Sequence, residues 1–212
     1  MRTLIAVPCM DMLHTDFARS CLGLQLSGEV QYTFAQASLV YDGRNGLAET
    51  AVRENFDRVL WLDSDMCFDR HLFRRLSEHL DLGKEMITGI YTSRKPPIRP
   101  VIYKNVFFQP DETGTSGTPI AETWWDFPRD DLFEVAACGF GAVMMTTDVL
   151  KRVQDAYGLP FSPVMGFGED LSFCLRVKEL GIPMWCDSSI KVGHVGTYQY
   201  TTEDLSAEER TE

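Results

Sequence analysis

Two carboxylates, Asp63 and Asp65, follow directly on the apolar run Val59-Leu60-Trp61-Leu62. Acids at the tip of a buried strand repel each other and lose hydration unless a cation or hydrogen bonds compensate. A hard divalent ion meets that need and can bridge the oxygens of a diphosphate at the same time. The plainer account is a solvated turn at Asp63-Ser64-Asp65 followed by a helix cap at Asp69. Asp-x-Asp alone is weak evidence, and it is the strand before it that favours the ion. A second acidic pair, Glu169-Asp170, opens a helix after Pro163-Val164-Met165-Gly166-Phe167-Gly168. Acids in a first helical turn are ordinary, since each complements the helix dipole by about 0.3–1 kcal/mol. Glycines before the helix, however, let backbone approach a ligand, and a carboxylate held there can accept a proton from an attacking hydroxyl. His194 lies between glycines in Val192-Gly193-His194-Val195-Gly196. A lone histidine is often only a satisfied polar residue, but as a ligand its imidazole would turn a site's preference from Mg2+ towards Mn2+.

The elements that position these groups alternate in the first half of the chain as strand and helix, the pattern of a mainly parallel sheet. Strands are expected at Thr3 to Val7, Val30 to Ala37, Val59 to Leu62 and Met86 to Tyr91, with helices around Thr15 to Leu26, Leu47 to Val52 and Leu72 to Leu80. Open parallel sheets bind ligands beyond the carboxyl ends of their strands, which directs attention to the residues after Val7, Leu62 and Ile90. From Lys104 to Asp131 periodicity fails, and Pro110, Gly114, Gly117, Pro119 and Pro128 suggest a long functional loop that carries Trp124 and Trp125. Beyond it come Phe133 to Met145, broken by Gly139 and Gly141, a helix capped by Thr147 or Asp148 and ended by Gly158, and a last helix from Glu169 to Leu180. Two short strands, Met184 to Cys186 and Ile190 to Val192, precede an acidic tail over 201–212 that reads as a frayed end.

The bulk numbers set limits. A chain of 212 residues, 44% hydrophobic and 24% charged, suits one domain with one core. Its apolar runs are too short to span a bilayer, so no membrane partner is expected. Six cysteines without a CxxC pair read as reduced thiols of a cytoplasmic protein. A net charge of -11 works against a surface made to hold polyanions, so an anionic ligand needs a metal or a local basic patch.

Taken in order, Ile5-Ala6-Val7-Pro8, Gly43-Arg44-Asn45-Gly46, the segment ending Leu62-Asp63-Ser64-Asp65-Met66, Thr88-Gly89-Ile90-Tyr91, Cys138-Gly139-Phe140-Gly141, Gly166 to Cys174 and Val192-Gly193-His194 resemble the GT-A nucleotide-sugar glycosyltransferases, in particular the family-2-like group. The resemblance covers residues 3–198 and implies a Rossmann-like α/β domain over 1–200, with an acceptor-side loop about 104–131. It implies transfer of a sugar from a nucleoside diphosphate, UDP favoured, to a hydroxyl, with Mn2+ or Mg2+ as cofactor. Pro8 would line the base and ribose pocket, and Arg44 and Asn45 would contact the nucleotide. Asp63, with Ser64 beside it, would lie at the ribose and metal side, Asp65 would be the main metal ligand, and His194 would complete the site. Asp170 would be the base of an inverting reaction, with Glu169 at the acceptor.

Other assignments stay open. Trp124 and Trp125 stack on an acceptor sugar or base, or else anchor the loop in the core. Arg94, Lys95, Arg99 and Lys104 form a basic stretch that holds the donor diphosphate, tracks a phosphate backbone, or is a solvated turn at Pro96-Pro97. Short chains of this kind also resemble phage transferases that act on hydroxymethylated bases, which makes modified DNA one acceptor beside glycans and small molecules. A sugar-nucleotide pyrophosphorylase is the nearest rival, but it would need a glycine-rich basic loop where this chain has Pro8-Cys9-Met10-Asp11-Met12. A binding module without catalysis is the other alternative.

Overall fold

In the computed structural model, residues 1–10, 12–112, 117–196 and 199–202 are described. The first half runs β1 (Arg2–Cys9), α1 (Thr15–Gly23), β2 (Glu29–Gln36), α2 (Val40–Arg53), β3 (Arg58–Leu62), β4 (Met66–Cys67), α3 (Leu72–Asp81) and β5 (Met86–Ile90). The second runs β6 (Ile102–Pro110), β7 (Gly117–Thr123), β8 (Leu132–Val135), β9 (Ala137–Cys138), β10 (Ala142–Thr146), α4 (Thr147–Tyr157), α5 (Glu169–Glu179), β11 (Met184–Lys191), β12 (Gly193–Val195) and β13 (Gln199–Tyr200). The main sheet has seven strands in the order β2-β1-β3-β10-β5-β11-β8. β1 is parallel to β2 and β3, and β5 to β11, while β10 and β8 run against their neighbours.

Strand period divides the core into two layers. Leu4, Ala6, Val59 and Trp61 face α2, α4 and α5 through Leu47, Ala51, Val149 and Phe173. Their sequence neighbours Ile5, Val7, Leu60 and Leu62 face α1 and α3 through Phe17, Phe73, Leu76 and Leu80. Strands covered on both faces read as unbroken apolar runs, which is why β1 and β3 stand out in the sequence.

Four differences from expectation are found. The stretch expected as a loop over 104–131 contains an antiparallel hairpin, β6 with β7, whose pairs run from Tyr103 opposite Thr123 to Pro110 opposite Gly117. Only Ile102 and Val106 of β6 are buried, so the hairpin lacks the alternation that announces a strand, and its prolines sit where an edge tolerates them. Gly114 lies outside the described residues, as do positions 203–212 of the expected tail. Asp69 does not cap α3: its carboxylate takes the N–H of His71 at 2.8 Å, making a turn that leads into the helix. Neither Thr147 nor Asp148 caps α4, whose N-cap position is Thr146, without a side-chain cap bond. The two short strands expected near the C-terminus are one, β11, with a register shift between Asp187 and Lys191.

Candidate active site at the carboxyl ends of the strands

The turn after β3 is fixed by backbone bonds from three sides. Asp63 N–H donates to Gly141 O (3.2 Å), His14 N–H to Ser64 O (3.2 Å), and Val195 N–H to Asp65 O (2.7 Å). The small sheet β13-β12-β4 sets His194 opposite Met66, which brings the imidazole to Asp65 across the chain. Gly139 and Gly141 pack beneath: a Cβ on Gly139 would stand 2.1 Å from Tyr91 Oη, and one on Gly141 would stand 2.6 Å from Met66 Cε. Tyr91 in turn meets the ring of His194 edge to face, with ring centroids 5.7 Å apart.

His194 Nδ1 lies 2.8 Å from the carbonyl oxygen of Thr92, which can only accept, so Nδ1 carries the proton. Nε2 then faces Asp65 Oδ2 at 3.4 Å. Arg94 Nη1 contacts the same carboxylate oxygen. Burial raises the Asp65 pKa, but the His194 hydrogen bond and the charges of His194 and Arg94 outweigh it and hold the carboxyl below its ordinary range.

Asp63 has another partner. Arg44 Nη2 donates to Asp63 Oδ1 at 2.7 Å, and Arg44 Nε to Glu169 Oε1 at 3.4 Å. The Arg44 side chain is 2% exposed and lies 5.3–5.9 Å from the rings of Trp61, Phe140 and Phe161. Burial acts to lower its pKa, and Asp63, Glu169 and Asp170 more than offset this, so the guanidinium stays charged. Desolvation pushes Asp63 above its ordinary value against the pull of Arg44. The three expected metal ligands are therefore not gathered: Asp65 and His194 converge, whereas Asp63 is turned to Arg44. Among the described residues no group of three His, Cys, Asp or Glu side chains is placed to hold an ion.

Asp170 begins α5 after a loop in which Met165 (φ 52°) and Gly166 (φ 81°) are both left-handed, a costly conformation for methionine that sharply redirects the chain. Its Oδ1 accepts from Leu171 N–H at 2.7 Å. Desolvation first and the neighbouring Glu169 next push its carboxyl up to about 6, where it can both take and release a proton near neutrality.

A cleft of ≈ 640 Å³ is lined by Asp63, Asp65, Arg44, Glu169 and His194, a size that admits a small organic ligand; Asp170, the neighbour of Glu169, is not part of its lining. Of the residues singled out in the sequence, Pro8, Ser64 and Arg94 line it with Asp63, Asp65 and His194, and so do Arg44 and Glu169. Others lie elsewhere. Asn45 is buried, and its Oδ1 accepts from Phe161 N–H at 2.8 Å, tying α2 to the loop before α5. Lys95 is exposed and does not line the cleft. Trp124 and Trp125 pack against the core, and Trp124 meets Phe133 edge-on at 5.0 Å. Trp124 borders a different cleft with Lys104, Lys178 and Met184, near the start of β11 and so at the far end of the strands. The opposite wall of the main cleft, Ala37 to Tyr41, follows β2. The strand-end rule applies to β2 as to the other strands, but these residues carry no charge to draw attention.

No protein-family profile and no curated protein matches the sequence. Solved structures do match in shape. A197 from STIV superposes with a TM-score of 0.64 at 18% identity, covering 92% of this chain and 86% of that one. GalNAc-T7, solved with UDP, GalNAc and Mn2+, superposes with a TM-score of 0.58 at 8% identity, covering 94% of this chain. The fold is GT-A-like. This GT-A-like chain spans 44% of the GalNAc-T7 chain. No helix among the described residues is long and apolar enough to cross a membrane.

Proposed function

We propose that this chain is a metal-dependent glycosyltransferase that moves a sugar from a nucleoside diphosphate, UDP being favoured, to a hydroxyl acceptor. The observation that carries the reading is the convergence of His194 Nε2 and Asp65 Oδ2, at 3.4 Å, on one point at a strand end. With Nδ1 committed to Thr92, Nε2 is the ring nitrogen left to face the carboxylate oxygen, an arrangement suited to a shared cation. Nitrogen beside oxygen favours Mn2+ over Mg2+. The cleft walls carry three carboxylates, Asp63, Asp65 and Glu169, against two guanidinium groups, Arg44 and Arg94, so an anionic diphosphate needs added positive charge.

In this mechanism Asp65 and His194 would hold the ion, which as a Lewis acid would stabilise charge on the departing diphosphate. Pro8 and the wall from Ala37 to Tyr41 enclose the base and ribose. Arg44 is a positioning residue that orients Asp63 and Glu169. Asp170 removes the proton of the acceptor hydroxyl as its oxygen bonds to the sugar carbon and the diphosphate leaves, an inverting displacement. The acceptor is a glycan or small molecule rather than DNA, because the basic stretch is dispersed: Arg94 turns to Asp65 and Lys104 to Asp126 at 2.5 Å.

Melting temperature with nucleoside mono-, di- and triphosphates, each with Mn2+ and with chelator, tests the reading. A ligand at roughly 100 times its Kd stabilises by about 2.7 kcal/mol, or roughly 5–10 °C for a chain of this size. Stabilisation by one diphosphate, lost with chelator and in Asp65→Ala, is expected. Preference for a triphosphate would point instead to a pyrophosphorylase, and a chelator-insensitive shift would remove the metal.

A further inference from the structure

The two guanidinium groups of the cleft are held in opposite ways. Arg44 is enclosed by three rings and tied to two carboxylates at 2% exposure, whereas the Arg94 side chain is 46% exposed and has Asp65 as its ion-pair partner. Arg94 Nη1 and His194 Nε2 address the same atom, Asp65 Oδ2. A cation shared by Asp65 and His194 must displace Arg94 from that oxygen.

We infer that Arg94 is an exchangeable counterion: it neutralises Asp65 in the free protein and passes to the donor diphosphate when a divalent ion takes Asp65. The inference rests on the metal site proposed above. The loop is built for such a swing, because its neck is closed directly behind Arg94. Ser93 N–H donates to Arg99 O at 2.8 Å, Arg99 N–H donates to Ser93 Oγ at 3.1 Å, and Thr92 bridges Pro100. Only the side chain has to move, through a cleft it already lines with Ser64 and Asp63. The Arg94 side chain is already half exposed at Asp65, and a guanidinium fork matches phosphate oxygens in pairs. Ion and diphosphate then reinforce each other's binding by the same factor, since each favours the position of Arg94 that the other requires.

Titration calorimetry of the intact chain with Mn2+ alone, and with UDP in excess Mn2+, separates the two halves of the exchange. In Arg94→Ala, Mn2+ alone is expected to bind about fivefold more tightly, for want of a competitor, while UDP in Mn2+ binds about tenfold more weakly. Arg94→Lys, which keeps the charge and loses the fork, should fall between the two proteins in both titrations. An Mn2+ affinity that is equal or weaker in Arg94→Ala, or a UDP affinity that does not fall, overturns the exchange and leaves the metal site standing. Absence of Mn2+ binding in the wild-type chain and in Arg94→Ala, with and without UDP, overturns the metal site itself and the exchange with it.

Discussion

Asp170 occupies a place where its own charge is unwelcome. Because its folded carboxyl is raised to about 6, above the ordinary value near 3.9, the group favours the fold while neutral and opposes it once ionised. Stability contributed by this residue is present below pH 4 and is lost as pH rises towards 6. Asp170→Asn should therefore stabilise the chain at pH 7.5 by about 1–2 kcal/mol in denaturant unfolding, with the gain vanishing near pH 4. The same substitution should leave diphosphate binding unchanged and cut transfer by about 10²-fold or more, and wild-type kcat should climb with pH through about 6. A variant that is both less stable and fully active would remove Asp170 from the reaction. Asp63 and Asp65 were visible in the sequence because two acids directly after a buried strand are conspicuous, Asp170 because glycines precede its helix, and His194 because glycines flank it. Their partners were not: Arg94 lies 29 residues from Asp65, and nothing local shows that the two meet. Arg44 entered only through the resemblance, as a nucleotide contact, and its burial depends on three aromatic rings contributed by β3, the loop before β10 and the loop before α5.

At the scale of elements, the site depends on glycines that make room for Tyr91. A Cβ at Gly139 would stand 2.1 Å from Tyr91 Oη and 2.7 Å from Val101 Cγ1, so the ring has to move, and it lies against His194. Gly139→Ala should cost about 1–3 kcal/mol of stability and weaken Mn2+ binding, whereas Gly46→Ala, in the interior of α2 with open space around it, should raise stability by about 0.5–1 kcal/mol and leave Mn2+ binding unchanged. Paired calorimetry and denaturant unfolding of the two variants check this. The buried parallel strands were legible because both faces are apolar. β12 and β4 were not, since elements of three and two residues are too short to show a period, although they carry His194 to Asp65. The β6–β7 hairpin was hidden by its own exposure.

At the scale of the whole molecule, a net charge of -11 sets the terms for every anionic ligand. That charge opposes the approach of a polyanion, so random-sequence duplex DNA should show no binding tighter than about 10 µM at physiological salt. Fluorescence anisotropy with a labelled duplex measures this directly, and a tighter, salt-sensitive interaction would reopen modified DNA as the acceptor. The antiparallel strand β10 has a quieter effect. It pairs directly with β5, so the excursion of the chain from Ile90 to Ala142 begins and ends on neighbouring strands, although it touches the far edge of the same sheet at β8 on the way. Within that excursion the β6–β7 hairpin belongs to a separate sheet with β9. The outer part of the hairpin can therefore change in length and surface without disturbing the register of β3, which leads into Asp63 and Asp65, and this side of the molecule is free to diverge while the chemistry beside it is kept.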